Sequence, residues 1–138
     1  MPAKDIYHDT VKNALIKDGW TITADPLTVR VGKKDMYIDL GAEKVIAAEK
    51  GSDKIAVEVK SFVSRSEMAD LENAVGQFIV YHDALAEREP ERVLYLAVSQ
   101  KVFENIFEEP LGKILLKNRR VRLLVFETQK EEIIKWIN

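Results

Sequence analysis

The run VLYLAV at residues 93–98 offers no polar face to water. A strand so apolar is buried on both sides, which demands covering layers above and below its sheet. The rest of the chain supplies them. Residues 5–18 carry Ile6, Val11, Ala14 and Leu15 near helical spacing, and Gly19 follows where a C-cap would fall. Residues 66–86 form the longest helical pattern, with Ser64 or Ser66 as N-cap and Pro90 beyond its end. Strand signals fall at 20–23, 27–31, 36–40, 44–50 and 54–62, and the last two read as a β-hairpin turned at Gly51-Ser52-Asp53. Downstream, helices are predicted at 102–107, 110–118 and 130–137, with a strand at 121–126. This order predicts an α/β or α+β fold, one domain over 1–138, in which helices flank a mixed central sheet.

Composition narrows the function. With no cysteine, disulfides, thiolate zinc sites and thiol nucleophiles are excluded, and a reducing cytoplasm fits. Two histidines are too few for a histidine-based zinc site. No apolar run approaches the roughly 20 residues needed to span a bilayer, so a cytoplasmic protein without a membrane partner is expected. The net charge of -2 provides no global field for nucleic acid. The densest basic cluster is KNRRVR at 117–122. It reads either as a solvated turn before a strand or as a patch contacting phosphate through Lys117, Arg119 and Arg120.

A second strand poses a different problem. In IAVEVKSF, residues 55–62, alternation puts Ile55, Val57 and Val59 on one face and Ala56, Glu58 and Lys60 on the other. Burying a carboxylate and an ammonium costs several kcal/mol unless each finds a partner. The hairpin pairing expected from Gly51-Ser52 sets Val45 opposite Glu58 and Glu43 opposite Lys60, with Asp39 a short bend upstream. Two acids on neighbouring strands suit a hard divalent cation, which takes one or two carboxylates plus water and phosphate oxygens. The Val59 carbonyl is a further ligand candidate, and Lys60 would orient the attacking water and stabilise charge on phosphorus oxygens.

An acid on one strand, then Glu58-Val59-Lys60 on the next and a helix after it, resembles the PD-(D/E)XK nuclease superfamily. That resemblance implies a restriction-endonuclease-like fold with catalytic Asp39, Glu58, Lys60 and Gln77, and Mg²⁺ or Mn²⁺ held by Asp39, Glu58 and Asp9 of the first helix. Gln77 and Tyr81 in GQFIVY match a QxxxY element, and their spacing puts them on one helix face, with Tyr81 able to reach DNA phosphate. The first acid stays open between Asp39 and Glu43; YIDL resembles the acid-bearing strand and favours Asp39. The stretches YHDTVKNALIKDGWTITADPL, YIDLGAEKVIAAEKGSDKIAVEVKSF and GQFIVYHDAL before LYLAV resemble the XisH family of fdxN-element excision controlling factors. This implies a part in programmed DNA rearrangement, with DNA and an XisI-type protein as partners. A second copy of the chain would be a third partner where both strands are cut.

Overall fold

The computed structural model describes residues 4–47 and 51–138. Helix α1 (His8–Lys17) leads to β1 (Thr21–Ala24), then β2 (Leu27–Val31), β3 (Lys34–Ile38), β4 (Leu40–Ala47) and β5 (Gly51–Val59). The long α2 (Glu67–Arg88) follows, then β6 (Arg92–Ser99) and a short α3 (Gln100–Val102) that runs into a π-helical turn at Phe103–Phe107. Helix α4 (Pro110–Lys117), β7 (Leu123–Glu127) and β8 (Glu132–Ile137) complete the order.

Six strands form one sheet in the order β1-β4-β5-β6-β7-β8, while β2 and β3 make a separate two-stranded hairpin. The central β5, β6 and β7 run parallel and the outer strands antiparallel, so the sheet is mixed and flanked by helices as expected. VLYLAV lies within β6 and feeds two cores. Leu94, Leu96 and Val98 pack with Leu71, Ala74 and Phe78 of α2 and with Leu27 and Ile38 of the hairpin. On the opposite face, Tyr95 and Ala97 join Val11 and Leu15 of α1 and the β5 residues Ile55, Val57 and Val59. Ala56 belongs to the α2 side, so the alternation read from IAVEVKSF holds.

Local chemistry fixes the ends of the helices. The Ser66 hydroxyl caps α2 by accepting from the Ala69 amide at 3.1 Å. Gly19, at φ 94°, takes the left-handed turn after α1.

Two expectations are corrected. Residues 130–137 are not a helix: Glu132–Ile137 is strand β8, paired antiparallel with β7. EIIKWI is short and rich in β-branched and aromatic residues, and as a strand it sets Trp136 against Tyr95 (4.8 Å between ring centroids) and Trp20 (5.8 Å). The β4–β5 register also differs. Leu40 opposes Val57 and Glu43 opposes Lys54, because Gly51-Ser52-Asp53 is part of β5 and not the turn; residues 48–50 lie outside the described residues. Strand β1 joins the main sheet beside β4, apart from the β2–β3 hairpin that follows it.

Candidate functional site

With Leu40 opposite Val57, the antiparallel register brings the preceding residue, Asp39, level with Glu58. Asp39 occupies the bend between β3 and β4, where the chain passes from the hairpin into the main sheet. The two residues are laced together. The Asp39 amide donates to Glu58 Oε1 at 3.2 Å, and the Val59 amide donates to Asp39 Oδ2 at 2.7 Å. Of the two first-acid candidates, Asp39 is therefore the neighbour of Glu58. Glu43 is engaged elsewhere, 3.8 Å from Lys54 Nζ.

Glu58 is buried, 8% exposed, and its pKa is pushed up to about 8. Burial is the largest cause, followed by the Asp39 charge and a side-chain hydrogen bond to Asp39; Lys60 opposes the shift. Lys60 follows the last residue of β5, with its amide bonded to the Ala97 carbonyl and its Nζ 3.9 Å from Glu58 Oε2. Its ammonium offsets part of the acid pair's repulsion.

Helix α2 adds Gln77 and Tyr81 from one face, and both line a hollow of about 210 Å³ with Asp39, Glu58 and Lys60. Gln77 Oε1 is buried without a hydrogen-bond partner. Burial first, then the charges of Glu58 and Asp39, raise the Tyr81 pKa above its ordinary value, so its hydroxyl stays a donor.

Other expected residues lie apart. Asp9 is exposed on α1 and is not part of the hollow. The acid that the N-terminal region does contribute is Asp5, just before the helix, and it was not foreseen. Its carboxylate accepts from the Tyr7 amide at 2.9 Å and the Ser61 amide at 3.0 Å, which ties the start of α1 to the end of β5. An acid placed to bond the amide two residues on was the available signal. His8 is buried, with Nε2 2.7 Å from Asp25 Oδ1 and Nδ1 4.0 Å from Asp39 Oδ1. Burial raises the Asp25 pKa, but hydrogen bonds from Lys12 and His8 outweigh it and hold the carboxyl below its ordinary range. Tyr37, also in the hollow, carried no sequence signal. Arg119 and Arg120 line a different hollow, on the other flank of α2, and Lys117 is exposed in the last turn of α4.

The donor set bears on a metal. Among the described residues no three acidic or histidine side chains converge to hold one unaided. Two adjacent carboxyls, with a buried amide oxygen lacking a partner nearby, suit a hard cation that keeps water and takes substrate oxygens for the rest of its shell. Among the described residues no helix is long and apolar enough to cross a membrane.

A family model described as XisH protein matches residues 1–134. A crystal structure of an XisH family protein from Nostoc punctiforme is 43% identical, with a TM-score of 0.87, covering 97% of this chain and 100% of that one. The crystal structure of an fdxN element excision controlling factor protein from Anabaena variabilis is also 43% identical, with a TM-score of 0.87, covering 98% of this chain and 100% of that one. No curated protein matches.

Proposed function

The chain belongs to the XisH family, and from that membership we propose that it acts in the programmed excision of a DNA element, the role its Anabaena variabilis relative is named for. Within that role we assign it divalent-cation-dependent hydrolysis of a DNA phosphodiester on a restriction-endonuclease-like domain in the cytoplasm. The observation that carries the chemistry is the lacing of Asp39 to Glu58 beside Lys60. A buried pair of acids is costly to fold, and it becomes favourable once a dication supplies the missing charge.

Asp39 and Glu58 would hold Mg²⁺ or Mn²⁺, with the Val59 carbonyl as a further ligand. When bound, the cation acidifies water and neutralises phosphate charge. Lys60, at the rim of the pair, donates to the attacking water and to the charge that builds on the phosphorus oxygens. Gln77 accepts a hydrogen of that water through Oε1 and so orients it. Tyr81, kept protonated, donates to a non-bridging phosphate oxygen.

Calorimetric titration with Mn²⁺ and Mg²⁺ tests this assignment. Saturable binding is expected in the wild type and lost in both Asp39→Ala and Glu58→Ala; binding that survives both substitutions overturns it. A second reading, a non-catalytic accessory that binds DNA or an XisI-type protein, is favoured by the net charge of -2 and by a site where, among the described residues, no three acidic or histidine side chains converge. Under that reading no metal binds even with DNA present, and capture by the XisI-type partner is unchanged in Asp39→Ala and Glu58→Ala. Cutting both strands of a duplex calls for two such sites, hence a homodimer at the moment of cleavage.

A further inference from the structure

The flank of α2 facing away from Gln77 and Tyr81 carries a second polar feature. Positions 79 and 83 lie about 200° around the helix from 77 and 81, and there Ile79, His82 and Asp83 border a hollow of about 380 Å³. Its other wall is the segment after α4, which contributes Arg119, Arg120 and Arg122. A smaller hollow of about 110 Å³ continues it, sharing His82 and Arg122. None of the three arginines makes an ion pair among the described residues. The one acid lining the larger hollow, Asp83, is 3.4 Å from His82 Nδ1. Three guanidinium groups without carboxylate partners meet here in a chain whose net charge is -2.

The backbone adds an independent observation. Helix α4 ends in a tight turn in which the Arg119 amide bonds the Leu116 carbonyl and the Arg120 amide bonds the Leu115 carbonyl. This turn takes a left-handed residue, ordinarily glycine, yet Arg119 occupies it at φ 55°. A strained position that keeps a long cationic side chain, where glycine would cost nothing, points to use of that side chain.

We propose that this trough binds a nucleoside phosphate ester. Guanidinium forks match phosphate oxygens in pairs, and the apolar side chain of Ile79 and the His82 ring supply a surface for the organic part. A water occupies about 30 Å³ of liquid, so the hollow accommodates far more than a bare anion. The inference rests on the nucleic-acid half of the function above and not on the acid pair, which lies on the other flank. Lys117, expected among the phosphate contacts, is outside the trough, and Arg122 takes its place.

The experiment titrates the full chain, in excess EDTA, with a short fluorescent 5′-phosphorylated DNA strand and separately with deoxyadenosine monophosphate. The Arg120→Ala/Arg122→Ala double variant is expected to weaken binding at least tenfold. Lys113→Ala, which removes a charge from α4 without touching the trough, should stay within twofold. Arg119→Gly should weaken binding while raising the melting temperature by a few degrees, because it relieves the left-handed strain. A strand that binds when the monophosphate does not identifies phosphates along a chain; equal binding of both identifies a free nucleotide. Absence of binding by either probe, or affinity unchanged in the double variant, overturns the proposal. Because EDTA removes divalent ions, a failure here is separate from a failure of the metal titration.

Discussion

A carboxyl buried against a second carboxyl gives up its proton reluctantly, and Glu58 does so at about 8. Its ordinary value is 4.5, so between these two values the folded chain keeps a proton that the unfolded chain has released. Stability therefore falls as pH rises from about 4.5 through about 8, by up to about 5 kcal/mol, and levels off above that. Urea denaturation at pH 5, 7 and 9 should show this decline in the wild type and a much flatter profile in Glu58→Gln. Added Mn²⁺ at pH 9 should restore the wild type and leave Glu58→Gln unchanged. Asp39→Asn removes the neighbouring charge, so the Glu58 titration followed by carboxyl ¹³C NMR should move down in pH. The need for a partner at Glu58 was legible from strand alternation alone. Its true neighbour was reached through the likeness of YIDL, because the expected pairing had put Val45 there. The place of Asp5 in the hollow was not legible, because the contact that carries it there is to the Ser61 amide, remote in sequence.

Among the elements, α4 depends on one small residue. A Cβ at Gly112 would collide with the Ile106 carbonyl oxygen and the Phe107 Cα, both backbone atoms that cannot swing aside. Gly112→Ala should cost about 3 kcal/mol by chemical denaturation. It should also weaken any ligand of the Arg119–Arg122 segment, which α4 positions. Strand β8 shows why short terminal elements are hard to read. Six residues hold less than two helical turns, so periodicity says little, and the decision falls to the exposed backbone edge of β7 that β8 completes. Trp136→Ala should cost about 2 to 3 kcal/mol, since it removes the ring seated between Tyr95 and Trp20. The long α2 and the doubly buried β6 were legible because their signals, 22 residues of helical period and an unbroken apolar run, are local. Register and sheet order were not, because they depend on contacts between segments far apart in the chain.

At the scale of the molecule, the sheet divides its labour. The face toward α1 is closed by apolar side chains of β5, β6 and β7, whereas the face toward α2 combines a core with the acid pair at its margin. Leu123 to Phe126 of β7 are fully buried, so deleting residues 128–138 would turn a core strand into an open edge. That truncated chain should elute as an aggregate in size-exclusion chromatography, whereas the full chain should not. Asp39, finally, is the knuckle between two separate sheets. One member of the acid couple thus sits at the junction of the small hairpin with the main sheet, and the other within the main sheet itself. A binding partner that tilted the hairpin would shift Asp39 against Glu58, so the hairpin offers a handle on the proposed cation site from outside it.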